Sequence, residues 1–430
     1  MRFSSGRITT MLGSQMLKSQ FPILSRKVND KPLIYLDNAA TSQKPLEVIE
    51  AISNYYSQNN ANVHRGVHRL SDESTTVFEE SRDTIANFFG ADVEELIIAR
   101  NATESINGVA YGWADKNLQE GDVIVTSLME HHANFVVWQE VAKRTGAKVE
   151  YVGVDENGRL KLEELEEKLK TLPVKLVTLV HVSNTTGTVN PIKKIRQLIT
   201  NHQKETPIRL LLDGAQSAPH MRVDFHQLGA DFYVFSGHKM LAPMGVGGLI
   251  VKKELLESGE MKPWLFGGGM IFSVLPEETE FNPDLSDRFT AGTPDVASIV
   301  GLAAACNYLK KLNMKKVEQH DRELVIYTLE KLQQFPEIKI IGPIESLSQK
   351  PLDRLGSVAF IHQAAHAHDV SQILDSEGVA VRSGHHCTMP LHTHFKWQAT
   401  TRASFSVYSS KNDIDILVRG LEKVRQVFKS

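Results

Sequence analysis

DFYVFSGHKM, residues 231–240, runs the apolar series Phe232 to Phe235 directly into a small, polar segment that ends at Lys239 and Met240. The run lacks the polar alternation of a half-exposed strand, so it reads as a strand covered on both faces. Just upstream, LLLDGAQS (210–217) repeats the plan, with an apolar run closing on Asp213. Asp213 and Lys239 stand 26 residues apart, a separation that suits one strand–helix–strand crossover between parallel strands. Sheets of that kind place ligands beyond the carboxyl ends of their strands, so both side chains are expected in one crevice.

Outward from this pair the alternation continues. ELIIA (95–99), DVIVTS (122–127), VEYVGV (149–154) and KLVTLVHVS (175–183) read as strands. Helical stretches lie between them: DESTTVFEESRDTIANFF (72–89), with Val77, Ser81, Ile85 and Phe88 on one face, NATESINGVAYGW (101–113), and ANFVVWQEVAKRTG (133–146), which stops at Gly146. The order predicts an α/β domain, a mostly parallel sheet wrapped by helices. After GTPD (292–295) the texture changes to a long helical stretch, the shorter strands IKIIG, GSVAFI, VAVRS and RASFS, and a last helix over 412–428. This reads as a smaller α+β domain. The expected division is an N-terminal extension and docking segment over 1–30, a large domain over 31–295 and a small C-terminal domain over 296–430.

Composition narrows the function classes. A chain of 430 residues is long enough for two domains, and a formal net charge of −3 gives no basic field for nucleic acid or an anionic membrane. The longest weakly polar run, MLAPMGVGGLIV (240–251), is too short and glycine-rich to span a bilayer. Two cysteines in so long a chain do not make a disulfide scaffold, which suits a reducing cytoplasm. Residues 1–29 are basic and serine-containing, a composition that overlaps with transit peptides; the plainer reading is a short docking helix leading into FPIL (21–24). Cys306, inside an alanine-rich helical stretch, reads as a buried structural thiol.

A carboxylate and an amine in one crevice could form a simple ion pair. The same two groups are also what pyridoxal 5'-phosphate needs, an amine for covalent attachment and an acid to keep its ring nitrogen protonated. Ser236, Gly237 and His238 precede the lysine as small and polar candidates for a phosphate. Thr103 falls at the start of a predicted helix, where free backbone N–H groups favour the same anion. The pair His131–His132 follows a strand, as a ring-stacking residue would.

These segments fall in a recognisable order: YLDNAATSQKP (35–45), NVHRGVH, NATES, EHHAN, HVSNTTGTVNP, LDGAQS, FSGHKM, FGGGMI, AGTPD, VRSGHHC (381–387) and RASF. In this order the chain resembles the SUF-type, group II cysteine desulfurases of the class V aminotransferase branch of the fold-type I pyridoxal-phosphate enzymes. The resemblance implies a seven-stranded large-domain sheet and a homodimer. It implies that Lys239 holds the cofactor covalently, Asp213 faces the ring nitrogen, Gln216 bonds the ring hydroxyl and His131 stacks on the ring and shares in proton transfer. Thr103, Ser236 and His238 would hold the phosphate, with Thr293 contributed by the neighbouring subunit. His64 and Asn184 would line the substrate side, and Arg402, with Arg382 nearby, would grip the carboxylate of L-cysteine, a task that suits the planar guanidinium fork.

Cys387 then acquires a purpose, taking sulfur from L-cysteine as a persulfide and leaving alanine, sulfur destined for iron–sulfur cluster assembly. His385 and His386 are candidates to activate it, Gly384 permits an unusual turn before it, and Pro390 stiffens the loop after it. His385, His386, Cys387, His392 and His394 crowd one stretch, but their spacing lacks the paired pattern of a zinc site, so no metal is expected and His392 and His394 read as exposed loop residues. CTMPLHTHFKWQAT also departs from the commoner wording of these desulfurases after GHHC. HAHD (366–369) places Asp369 as an N-cap candidate. It resembles the motif of desulfurases that serve a zinc-containing SufU-type acceptor, with His368 as the partner-facing residue; a SufE-type acceptor is the alternative. The competing readings of the whole chain are a selenocysteine lyase, a class V aminotransferase that would not need Cys387, and a non-catalytic assembly scaffold.

Overall fold

Leu210, Leu211 and Leu212 are fully buried although their side chains point alternately to opposite faces, so both faces of their sheet must be covered. In the computed structural model, which describes residues 12–64, 66–203, 206–344 and 353–428, they belong to a seven-stranded sheet. Its strands are β1 (Leu96–Ala99), β2 (Val123–Ser127), β3 (Lys148–Val152), β4 (Val174–Val180), β5 (Arg209–Asp213), β6 (Phe232–Ser236) and β7 (Gly247–Val251). They lie in the order β1-β7-β6-β5-β4-β2-β3. β2 to β6 pair in parallel, and only β7 runs against both of its neighbours. Separate apolar clusters fill the space under the helices on the sheet. Each fully buried Leu, Val or Phe there contributes roughly 1.5–3 kcal/mol by area transfer.

β7 is the strand the sequence reading passed over. It is the second half of MLAPMGVGGLIV, and glycine is a poor strand former by propensity. Its glycine has a packing reason: a Cβ on Gly247 would lie 2.5 Å from the Phe235 carbonyl oxygen and 2.9 Å from the Asn101 Cα. The bare backbone lets the start of the helix Ala102–Val109 settle against the sheet, beside the carboxyl end of β6.

The second sheet contains β8 (Ile338–Ile341), β9 (Ser357–His362), β10 (Arg382–Gly384) and β11 (Thr400–Ser404), antiparallel in the order β8-β9-β11-β10. Its core draws Leu324, Val325, Phe360, Leu374, Ile414 and Leu417 from the sheet and its helices. Ile34 and Leu36 join this core, through a short parallel pairing of Ile34–Tyr35 with Val379–Ala380. The helix Val296–Leu312, which follows the expected boundary at 295, packs in the larger core against the helices Leu46–Asn54 and Arg69–Phe88. Cys306 lies buried in it, and burial pushes its thiol far up, as suits an inert structural cysteine.

Residues 1–11 of the expected N-terminal extension lie outside the described residues. The short helix Gln15–Lys18 follows, and Phe21 inserts edge-on to Tyr308 and Tyr408 with ring centroids 5.9 and 4.6 Å away. No helix among the described residues is long and apolar enough to cross a membrane.

Candidate active site

The crossover predicted between Asp213 and Lys239 is present: β5 and β6 are parallel neighbours, and both residues line one cavity at their carboxyl ends. Thr103, His131, Asn184, Gln216, Ser236, His238, Arg382, His386, Cys387 and Arg402 line the same cavity. Among the described residues no salt bridge joins Asp213 to Lys239, although each still feels the other's charge. Burial pushes the Asp213 carboxyl up, against a backbone N–H from Ala215 at 2.9 Å and the field of Lys239. Burial pushes the Lys239 amine down, with Asp213 opposing and Arg402 reinforcing the shift. An amine so poised is available as a nucleophile and base.

The N-terminal segment fixes the lysine turn. Thr41 and Ser42 donate their hydroxyls to the His238 carbonyl at 3.0 and 3.1 Å, and the Lys44 amine reaches it at 2.9 Å. Burial pushes Lys44 down to about 8, and burial with the neighbouring Lys239 and Lys44 charges pushes His238 down to about 4. His238 is therefore a neutral hydrogen-bonding ring near pH 7.

Beside the lysine turn Asn101, not Thr103, caps the helix Ala102–Val109, accepting from the Glu104 N–H at 3.0 Å. The Ala102 N–H goes to the Ser236 hydroxyl at 3.0 Å, which leaves that hydroxyl free to donate. Thr103, Ser236, His238 and the helix start thus bring together groups that could hold an anion.

His131 accepts the Ala133 N–H on Nδ1 at 3.1 Å, so its neutral ring carries the hydrogen on Nε2. Burial, then the Lys239 charge, pushes it down to about 3. Gln216 donates its amide to the Ala39 carbonyl at 2.8 Å, and its amide oxygen remains to accept.

On the far wall Arg402, 2% exposed on β11, donates to the Asn184 carbonyl at 2.9 Å and to the Asp37 carboxylate at 3.1 Å. Its Nε is buried without a partner, as is the Asn184 Oδ1. Unsatisfied buried polar atoms of this kind call for a ligand. Asp37, which the sequence reading did not single out, holds the guanidinium from the loop after Ile34–Tyr35; its only local signal is a carboxylate at a short strand's end.

Cys387 reaches the cavity on a loop held in an unusual backbone. Gly384 has φ 117°, and His386 and Cys387 have φ 52° and 59°. Two successive left-handed residues other than glycine cost roughly 1–3 kcal/mol each. The large domain grips them: the His132 N–H donates to the Cys387 carbonyl at 2.8 Å, and the Asn184 amide donates to the His386 carbonyl at 2.7 Å.

Three expectations change in detail, at His392, at the Asp369 cap and at His64. His392 is buried, 1% exposed inside the short helix Met389–His394, because Thr388 and Thr400 supply its ring with polar partners; His394 is exposed as read. The helix Ala367–Ser376 is capped by the His366 ring, which accepts the His368 N–H at 3.2 Å, rather than by Asp369. His368 is exposed and outside the cavity. His64 and Thr293 line a different cavity with Asn62, Gly268 and Gly292, away from Lys239 of the same chain.

The cavity therefore offers an amine, a buried carboxylate that lacks a full counter-charge and groups that could hold an anion. These residues fit pyridoxal 5'-phosphate: Asp213 for a protonated ring nitrogen, Lys239 for the aldehyde, and Thr103, Ser236 and His238 for the phosphate.

Comparison with known proteins points the same way. The family described as aminotransferase class-V matches residues 34–417. A cysteine desulfurase of Haloferax volcanii is 43% identical over 426 residues, covering 96% of this chain and 97% of its own. A probable cysteine desulfurase of Halalkalibacterium halodurans is 44% identical, covering 97% of this chain and 99% of its own. The apo cysteine desulfurase of Thermococcus onnurineus matches with a TM-score of 0.89 at 35% identity, covering 97% of this chain and 99% of that one. The Escherichia coli cysteine desulfurase CsdA, in its S-sulfonic acid form, matches with a TM-score of 0.85 at 34% identity, covering 96% of this chain and 98% of that one.

Proposed function

Since the chain belongs to the class-V aminotransferase family and is similar over nearly its whole length to cysteine desulfurases, we propose that it is a pyridoxal-phosphate-dependent cysteine desulfurase. It converts L-cysteine to L-alanine and moves the sulfur to Cys387 as a persulfide. The observation that carries this reading is one cavity lined by Lys239, Asp213, Arg402 and the thiol of Cys387.

When bound, the cofactor supplies an electron sink that lets bonds at the substrate Cα and Cβ break. The chain's own residues do the rest. Arg402, pre-oriented by Asp37 and Asn184, takes the substrate carboxylate with its unpartnered Nε, with Arg382 at the cavity mouth. Lys239, its amine pushed down by burial, moves the proton at the substrate Cα. The neutral ring of His131 offers its Nε2 hydrogen inside the cavity, where it would hold the cofactor ring and assist that transfer. Cys387 attacks the substrate sulfur as a thiolate; the new S–S bond forms as the C–S bond breaks, and that bond's electrons stay with the carbon that becomes the alanine methyl group. A class V aminotransferase or an inert scaffold would have no use for a thiol at this point.

The test is one incubation of purified protein with L-cysteine, without reductant, followed by peptide mass spectrometry and alanine detection. One added sulfur atom on Cys387, with alanine formed in step, is the expected result. Alanine without modified Cys387 would indicate a direct lyase, and activity restricted to selenocysteine would favour the selenocysteine lyase reading.

The physiological setting we propose is a cytoplasmic homodimer of the SUF type that feeds iron–sulfur cluster assembly. Support for the dimer comes from the hairpin Ile271–Val274 and Thr279–Phe281, which leaves Phe272, Val274 and Leu275 exposed, and from His64 and Thr293, which would complete a partner's site. Light scattering should give twice the chain mass, and a monomer active on cysteine would remove this part. Recovery of the native protein from a membrane or secreted fraction would overturn the cytoplasmic placement.

For the acceptor, the exposed His368 at the start of its helix suits a zinc-containing SufU-type protein better than a SufE-type one. His368→Ala is expected to keep its basal rate while losing about tenfold in stimulation by a SufU-type protein, the effect of deleting one metal-directed contact. Unchanged stimulation across a partner titration would exclude this role.

A further inference from the structure

The loop that carries Cys387 is gripped by the large domain on one side; on the other it rests on a buried chain of side chains that the reaction itself does not use. The His386 Nε2 lies 2.8 Å from the Thr400 hydroxyl, and the His392 Nε2 lies 3.2 Å from the same oxygen. The His392 Nδ1 lies 3.0 Å from the Thr388 carbonyl oxygen. All four residues are buried, and Thr400 pairs with Gly384 across β11 and β10.

The donors and acceptors favour one assignment. A carbonyl only accepts, so His392 must carry its hydrogen on Nδ1. The Thr388 hydroxyl, 3.4 Å from that nitrogen, already donates to the His385 carbonyl at 2.8 Å and cannot supply a hydrogen there. Burial pushes both His386 and His392 below the usual imidazole range, so each ring is neutral and holds one N–H. The bare Nε2 of His392 then accepts the Thr400 hydroxyl hydrogen, and the Thr400 oxygen accepts the Nε2 hydrogen of His386. The best-satisfied order runs from His386 to Thr400, from Thr400 to His392, which lies nearer than the Gly384 carbonyl at 3.4 Å, and from His392 to the backbone of Thr388.

This chain closes on both sides of Cys387. His386 precedes the thiol and Thr388 follows it, and the two residues in the costly left-handed backbone are His386 and Cys387 themselves. The Thr185 hydroxyl, 2.9 Å from that of Thr388, ties the same point to the large domain. Without a lock, two successive left-handed residues would relax toward ordinary backbone and swing the sulfur away from the cavity.

We infer that His392 is a positioning residue for Cys387, acting through Thr400 and the Thr388 carbonyl to fix the ring of His386 and the backbone on either side of the thiol. The inference rests on Cys387 being the sulfur acceptor. It assigns a task to a histidine in the stretch where this sequence departs from the commoner wording of similar desulfurases.

The test compares the holoenzyme with His392→Leu, Thr400→Val, the double variant and Thr400→Ser. Single-turnover persulfide formation on Cys387 is followed by peptide mass spectrometry, and KM for L-cysteine is taken from alanine formation. His392→Leu and Thr400→Val should each slow persulfide formation about tenfold, as displacement of a reacting atom does, with KM changed by less than about twofold. Because both substitutions break one chain, the double variant should be no more than about twofold slower than either single one. Thr400→Ser keeps the hydroxyl and should stay within about twofold of the parent. A readout that needs no substrate is the alkylation of Cys387 by iodoacetamide, expected to rise at least about threefold in the two singles as the loop loosens.

A persulfide rate within about twofold of the parent in either single variant would overturn the inference, and so would losses that multiply in the double variant. Equal impairment of Thr400→Ser and Thr400→Val, or unchanged alkylation, would do the same. If the parent itself forms no persulfide on Cys387, it is the desulfurase reading that fails, and the alkylation rates still report whether His392 holds the loop.

Discussion

Lys239→Ala is expected to lose covalently held cofactor and to lower cysteine turnover by roughly 10⁴-fold or more, the scale seen when a group that acts covalently is deleted. Nothing else in the cavity can replace it. The Lys44 amine is spent on the His238 carbonyl, and the guanidinium of Arg402 is committed to Asp37 and Asn184. An arginine also does not lose its proton near neutral pH and so cannot serve as nucleophile or base. Removing the amine leaves Asp213 buried with a weaker positive field, so its carboxyl should rise further. Borohydride reduction followed by peptide mass spectrometry makes the check direct: cofactor mass should appear on the Lys239 peptide of the parent and on no peptide of the variant. Normal alanine formation by Lys239→Ala would refute the assignment.

Cys387→Ser separates the two halves of the reaction. Its cofactor content should match the parent, because the groups that fit the cofactor come from the large sheet and the helix Ala102–Val109. L-cysteine should still bind through Arg402. Persulfide formation should fall about 10³-fold or more, since a serine hydroxyl at neutral pH is a far poorer nucleophile toward sulfur than a thiol. Cys306 cannot substitute, being buried in the helix Val296–Leu312 with burial pushing its thiol far up. Mass spectrometry of the cysteine-treated variant should therefore show no added sulfur at position 306. Retained desulfuration with sulfur on another residue would move the acceptor away from the GHHC loop.

Much of the site was readable before folding. Asp213 and Lys239 each follow an apolar run at one fixed separation, and similar local logic placed Thr103 at a helix start and His131 after a strand. The misses share a physical cause. β7 was passed over because its glycines report a close backbone approach, at Phe235 and Asn101, which no local propensity encodes. His392 was read as exposed because a histidine near a proline and two threonines looks like loop; its burial depends on Thr400, a neighbour only after β10 and β11 pair. The N-cap at HAHD went to His366 instead of Asp369 because the helix starts three residues earlier than the acid suggested. His64 and Thr293 came from resemblance, and within one chain they sit in another cavity.

By itself, the sequence determined the strand–helix alternation, the carboxyl-end placement of a carboxylate and a lysine, and the presence of a thiol in a glycine–histidine loop. Those features depend on residues close together in the chain, where periodicity and turn chemistry act directly. Only the tertiary structure decided that Asp37 would hold Arg402, that the thiol loop would lie over Lys239, and that His386, Thr400, His392 and Thr388 would form one buried chain around Cys387. These depend on burial and on pairing between distant segments. Loss of water sets which imidazoles stay neutral and which hydrogen bonds must be made, and it arises only when segments distant in the chain are brought together.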